Sequence, residues 1–252
     1  MSIEPGWPVA IALAILMLIT LLAHQVAGYQ LAWPSAIAGA RALLQLTVVA
    51  LLIRWVIEDL ALSFGFVALM FAMAVLTTSR RTGSPGTWHW AALAIAAGVV
   101  PALTVILATG AVPMKGIAVI PVAGIVIGNA MTANTLVGRR AYPALREEHH
   151  LYEAGLALGM SPGDSAREIV HPRAPEALLP GLDQVTTTGV VTLPGAFIGV
   201  MLGGGTPVMA ATAQALVLFG IMAAQTFTVL VAERLITRRL LVPADLKVAL
   251  ID

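Results

Sequence analysis

Four consecutive residues, Glu147-Glu148-His149-His150, carry the carboxylate and imidazole groups that bind divalent metals. Their spacing is wrong for a metal helix. An H-E-x-x-H helix sets two imidazoles on one face, whereas adjacent residues point about 100° apart. Phosphate chemistry also lacks its parts. Lys115 is followed by Gly116 and Lys247 by Val248, so no G-x-x-x-x-G-K-[ST] cradle exists. The chain has 0 cysteines, which removes thiolate ligands, disulfides and cysteine nucleophiles. No catalytic residue, no ATP site and no cofactor of its own is expected, and a metal-ligating set is unknown.

The other polar residues of interest are isolated within apolar runs. Charged or amide side chains in hydrocarbon are costly and turn toward protein or water. Arg41 and Gln45 lie one turn apart on a shared helical face. They read either as a polar lining that meets an anionic substrate or, for Arg41, as a side chain snorkelling to an interface about five residues away. Asn129 and Asn134 bond across helices or line a pathway, with Met131 between them. Thr187 opens a run that Pro194 breaks or bends, freeing carbonyls that need partners. Gln214 follows in the last run. Arg41, Gln45, Asn129, Met131, Asn134, Thr187 and Gln214 are the pathway candidates.

A membrane must position these residues. The chain is 59% hydrophobic and 11% charged, against about 25% charged for soluble domains. Its net charge of +1 gives nucleic acid nothing to hold. Apolar runs predict spans at roughly 8–28, 36–57, 60–79, 90–110, 117–138, 185–203 and 210–233. This is an all-α polytopic membrane protein of about seven transmembrane helices, in contact with lipid, and one permease-like domain over 1–252. Met1–Pro8 carries Glu4 and no basic residue, so the first run reads as a retained helix rather than a signal peptide. Seven spans put eleven of the fourteen basic residues on one side, among them Arg80, Arg81, Arg139, Arg140, Arg146, Arg234 and Arg238. Basic residues stay cytoplasmic, which places the N-terminus outside and the C-terminus inside.

Residues 139–184 form a long cytoplasmic loop, and long loops in compact proteins usually have a task. Ser161 caps a helix whose first residue is Pro162, with Asp164 in its first turn. Gly159 supplies the positive φ that ends the helix before it. Pro172 stops the short helix. The expected product is helix, turn, short helix, with Ala166, Ile169 and Val170 available to a groove on a partner. Small residues recur at helical spacing as Gly124 and Gly128, and as Gly195, Gly199 and Gly203. They read as helix-packing surfaces, within one subunit or between two.

The loop sequence Glu153-Ala154-Gly155-Leu156-Ala157-Leu158-Gly159, then nine residues, then Ile169-Val170-His171-Pro172, resembles the E-A-A-x3-G-x9-I-x-L-P loop of ABC permeases. It departs at Gly155 and at His171. With Arg41-Ala42-Leu43-Leu44-Gln45-Leu46, with Pro121 through Met131, and with Leu193-Pro194-Gly195 through Pro207, the chain is similar to the FetB-type permeases. That family is associated with iron export and, in plants, with aluminium tolerance. The resemblance implies a permease homodimer in the bacterial inner membrane. It also implies a separate cytoplasmic ABC ATPase that binds ATP and Mg. Glu153, Ala154, Gly155, Gly159, Ser161, Pro162, Ile169 and Pro172 would couple the two. Export of iron or another metal is the implied activity. Export of a non-metal solute such as a nucleotide sugar, or secondary transport, are the alternatives. The spans hold almost no carboxylates and no inverted repeat, which weighs against the last.

Overall fold

The computed structural model describes residues 6–250; Glu4 and its neighbours, with Ile251 and Asp252, lie outside them. The chain divides into two compact units, 1–58 and 59–252, each taken in its own frame.

The first unit is a hairpin of α1 (Trp7–Val26) and α2 (Ala32–Glu58). Gly28, at φ 68°, ends α1 in the left-handed region that glycine alone enters freely. The amides of Gly28 and Tyr29 then donate to Gln25 O and His24 O, at 3.1 and 3.0 Å. His24 Nε2 and Ser35 Oγ are hydrogen-bonded across the turn at 3.1 Å. Neither helix has a buried residue, and their mean hydropathies are 2.4 and 2.0. By length and composition both are helices able to cross a membrane. α2 begins earlier than the expected 36, so Arg41 lies nine residues, about 13 Å, into the helix. That is deeper than the five residues that made snorkelling easy.

The second unit contains α3 (Leu60–Arg81), α4 (Trp88–Ala108), α5 (Gly116–Glu147), α6 (His149–Ala157), α7 (Pro162–Val170), α8 (Leu179–Thr187), α9 (Gly195–Leu202), α10 (Pro207–Thr237) and α11 (Ala244–Ala249). Short 3₁₀ turns at Pro85–Thr87 and Ala174–Leu178 join them. Asp59 caps α3 by accepting from Leu62 N at 2.9 Å. Across the described residues of both units, six helices are long and apolar enough to cross a membrane: α1, α2, α3, α4, α5 and α10.

Side-chain registers set the helix directions. Thr78 meets Thr135 at 2.8 Å, and Gly138 faces Thr82, so α3 and α5 run parallel. Asn129 pairs with Gln225, and Tyr142 Oη donates to Leu241 O at 3.0 Å, so α10 runs parallel to α5. Gly98 lies against Ala224 and Thr228 while Ile106 lies against Gly220, so α4 is antiparallel to α10. The C-terminal ends of α3, α5 and α10 therefore share one end of the unit. Arg80, Arg81, Arg139, Arg140, Arg146, Arg234 and Arg238 all collect there.

Because α5 and α10 both finish at this basic end, the chain between them must return before α10 starts. It returns through α8 and α9, within the expected span over 185–203 that Pro194 was expected to break or bend. The break runs from Thr188 to Pro194. Gly189 turns at φ 89°, and Thr188 and Thr192 form an isolated β-bridge. The run Val190-Val191-Thr192 is β-branched and Pro194 cannot continue the helix, so the extended conformation wins locally. The apolar stretch is real, but it is two half-helices of nine and eight residues rather than one helix.

The expected loop over 139–184 is also corrected. α5 continues nine residues past 138, because Arg139-Arg140-Ala141-Tyr142 through Glu147 are compatible with helix after they leave the apolar zone. α6, α7 and the start of α8 fill most of the remainder. Tyr152, Ala166, Ile169, Val170, Ala174 and Ala177 join the same buried core as α5 and α10.

Candidate functional site

The short helix pair at the basic end has the local chemistry read from the sequence. Ser161 Oγ accepts from Asp164 N at 3.2 Å and donates to Asp164 Oδ2 at 2.6 Å, with Pro162 opening α7. Gly159 sits at φ 86° with open space around it, so its role is conformational. α7 ends at Val170, before Pro172. Gly155 is required by proximity: a Cβ there would lie 2.3 Å from Ser165 Oγ. That hydroxyl donates to Tyr152 O at 2.6 Å, locking α6 onto α7. The glycine that departs from the usual alanine is the counterpart of this serine.

One expectation fails. Ala166, Ile169 and Val170 are not available to a partner, since all three are at most 2% exposed inside the chain's own core. Ile169 is a packing residue. The outward surface of the pair is Glu153, Ala154, Leu158, Asp164, Arg167, Glu168, His171 and Pro172. Glu153 is exposed and lies 3.5 Å from His149 on the same helix face.

Polar bonds tie together the pair and the segments that flank it. Arg173 donates to Ile169 O at 2.6 Å and pairs with Glu148, and Arg140 pairs with Glu176 at 3.2 Å. α11 folds back beneath: Arg146 donates to Asp245 at 2.7 Å, Tyr152 Oη donates to Leu250 O at 3.2 Å, and Arg239 donates to the same carbonyl. The Arg146 guanidinium holds the Asp245 carboxyl below the usual carboxylate range. On the α10 side, His171 Nδ1–H donates to Glu233 Oε1 at 2.8 Å. Next to that bond opens a cleft of about 450 Å³ between Ser161, Arg167 and His171 on one side and Leu230 and Glu233 of α10 with the following Arg238 on the other.

The interior polar residues form two separate groups. Asn134 Nδ2–H donates to Thr78 Oγ1 at 3.0 Å, joining α3 to α5. Asn129 Nδ2–H donates to Ile125 O at 2.9 Å, and its Oδ1 accepts from Gln225 Nε2 at 3.4 Å. Gln225 in turn packs against Gly181 at the start of the broken segment. Met131 is half-buried and packs on the core. Thr187 Oγ1 donates to Asp183 O at 2.8 Å, satisfied within its own helix. Gln214 is 5% exposed, and its Oε1 has no hydrogen-bond partner, as is true of Asn134 Oδ1 and Thr228 Oγ1. Arg41 and Gln45 are exposed on α2 in the first unit. Among the described residues no cluster of three His, Asp or Glu side chains could hold a metal ion.

The packing glycines divide as well. Gly124 meets the methyl of Met70, but Gly128, Gly195 and Gly199 face open space, and Gly203 meets only the backbone of its own segment. The closest approach to another helix's backbone is at Gly98, which the sequence pattern did not mark. A Cβ there would lie 2.1 Å from Ala224 O. Gly181 is a second such position, against Gln225. The signal for Gly98 was a glycine inside an apolar run, whose partners lie on another helix.

The family described as "Uncharacterised protein family (UPF0014)" matches residues 7–241, all six long helices and the helix pair included. The chain belongs to the UPF0014 family. It is 31% identical over 192 residues to the UPF0014 membrane protein STAR2 of Oryza sativa subsp. japonica, covering 75% of this chain and 67% of that one. It is 28% identical over 190 residues to the protein ALUMINUM SENSITIVE 3 of Arabidopsis thaliana, covering 74% and 70%. It is 26% identical over 204 residues to "Probable iron export permease protein FetB" of Escherichia coli K12, covering 79% and 78%. No solved structure matches the chain. With its apolar helices, this membership makes the chain an integral membrane protein of a permease family.

Proposed function

We propose that this chain is the permease subunit of an ABC transporter, driven by ATP hydrolysed on a separate cytoplasmic subunit. The observation that carries the reading is the α6–α7 pair: a capped short helix after a left-handed glycine turn, folded on the basic end of α5 and α10, with a charged outward face. A firmly mounted, solvent-exposed helix is suited to receive a push from a partner and pass it to the spans. The basic end is then cytoplasmic by the charge rule, and the membrane is the bacterial inner membrane. The whole chain works as one permease domain, paired with a second copy. The open faces of Gly195 and Gly199 support that pairing, since small residues left uncovered in one subunit suit close helix contact in another.

Iron or another metal is the proposed cargo, exported from the cytoplasm. FetB's name supports it, while the transported ion finds no preformed carboxylate or imidazole cage among the described residues. Passage would use amide and hydroxyl oxygens such as those of Asn129, Gln214 and Thr187, which suit hard cations weakly and transiently. The test is co-purification of tagged permease with its candidate ATPase, then ATPase turnover across a solute panel that includes Fe²⁺ and nucleotide sugars. A stoichiometric complex stimulated by iron supports the full reading. Stimulation by another solute keeps the architecture and replaces the cargo. A folded permease that binds no ATPase returns the chain to secondary transport.

A further inference from the structure

α10 carries one acidic residue, Glu233, and it lies about one turn from the helix end. Its side chain is only 16% exposed. A carboxylate so placed at the membrane boundary is costly unless a partner compensates it. The partner is His171, the residue that follows α7 and that replaces the leucine of the related loop motif, at 2.8 Å. Beside the bond, a cleft of about 450 Å³ separates Ser161 and Arg167 from Leu230 and Arg238. The imidazole–carboxylate pair therefore bridges α7 and α10 at the edge of a gap. On its other side α7 is locked to α6 by Ser165 and Gly155, so it moves as part of the pair. Eight residues up α10 from Glu233, about 12 Å, Gln225 touches both Asn129 and Gly181, where the broken segment begins.

We infer that His171 and Glu233 are the tether through which displacement of α7 is transmitted to α10. Both are positioning residues, and the inference rests on the ATPase-docking reading. The pair does not contact the transported solute. It fixes the distance between the element the ATPase moves and the helix that carries Gln225 and Gln214. Without it, α7 is held to α10 only by the apolar packing of Ala166, Ile169 and Val170, which does not fix the width of the cleft.

The absence of cysteine makes the test clean. Ala211, exposed on α10 well away from Glu233, is replaced as Ala211→Cys, and its maleimide labelling rate is measured in proteoliposomes holding the permease–ATPase complex. Rates are compared with and without ATP plus vanadate, in the parent and in His171→Ala, Glu233→Gln, the double variant, and the exchange His171→Glu with Glu233→His. The parent should change rate at least about threefold on vanadate trapping. Each single variant should bring the change below about 1.5-fold while retaining stoichiometric ATPase. The double variant should be no worse than the singles, and the exchange should restore at least half the response. Three results would overturn the inference: a full response in either single variant, no response of Ala211→Cys in the parent, or losses that multiply in the double variant. A parent that recruits no ATPase refutes the docking reading itself, and the tether falls with it. A complex that forms in every variant yet responds in all of them refutes the tether alone.

Discussion

Replacing Gly98 by alanine tests the closest approach of a glycine to another helix's backbone in the second unit. The added Cβ would stand 2.1 Å from Ala224 O and 2.3 Å from Thr228 Oγ1. The first is backbone in the middle of a helix and cannot swing aside. Reaching the 3.4 Å of ordinary contact requires α4 and α10 to separate by about 1.3 Å at this level. A gap of about 1 Å forfeits roughly a quarter to a half of each dispersion contact along the seam. Overpacking of this kind costs about 1–3 kcal/mol. Alanine also favours helix over glycine by about 1 kcal/mol, which hides part of the loss. A control removes that offset: Gly65, in α3, has nothing within 4 Å of its Cβ direction, so Gly65→Ala receives the helix gain without the clash. The assay is reversible unfolding of both variants in the same detergent. Gly98→Ala should be less stable than Gly65→Ala by about 1–3 kcal/mol, roughly 5- to 150-fold in the unfolding equilibrium. Agreement of the two within about 0.5 kcal/mol would mean that α4 and α10 do not approach as described, and the register built on Gly98 would have to be withdrawn.

Ser161→Ala removes the cap of α7, and the amide protons of its first turn should exchange faster, by an amount matching a loss of about 1 kcal/mol; unchanged exchange at Asp164 would contradict the cap. Glu153→Lys reverses a charge on the outward face and should reduce ATPase co-purification severalfold with no change in permease melting, since that side chain is exposed; unchanged recovery of the ATPase would argue against docking there. Gly159→Val forces a β-branched residue to φ 86°, at a cost of about 1–2 kcal/mol, and should lower ATP-driven turnover while leaving α3, α4, α5 and α10 protected from exchange. The Asp245 carboxyl is held down by Arg146, so that pair stabilises the α11 contact fully above the ordinary carboxylate pKa near 4, and the contribution disappears as pH falls through the lower folded-state value. Asp245→Asn should flatten that acid limb of the stability profile, and only slightly, because the pair is exposed; an unchanged acid limb would show that the pair adds nothing.

The spans were legible because a hydrocarbon slab asks for one simple thing, an apolar run of about 20 residues. α1, α3 and α4 begin and end within two residues of their expected limits. The failures share a cause. At 139 the sequence turns charged, which marks where lipid ends, but a helix does not stop where lipid stops. Arg139 through Glu147 contain no terminating glycine, and Pro143 is accommodated within α5. At 188–194 the reverse holds. The residues remain apolar, as a membrane segment requires, while Gly189, the β-branched run and Pro194 deny it a continuous helix. Hydropathy reports the solvent of a segment and says little about its backbone. Glycine, proline and β-branching report the backbone: Pro194 marked the break, while Gly189 and the β-branched run extend it back to Thr188.

The site shows the same division between a legible face and an illegible partner. Ala166, Ile169 and Val170 stand at helical spacing, so one edge of α7 was correctly read as apolar. What covers that edge is the core shared with α5 and α10, and α5 reaches it only by running on past the missed helix end. Gly98 has no glycine four residues away on its own helix; its counterparts are Ala224 and Thr228, a small-residue pair four apart on α10, so no local pattern marks it. His171 and Glu233 are 62 positions apart, and no local pattern joins them. Yet each was anomalous where it stood: a histidine in place of an expected leucine, and a lone carboxylate in a 31-residue apolar helix. Two local anomalies of complementary chemistry, each costly alone, should be sought as partners, and in this chain that rule leads directly to the proposed tether.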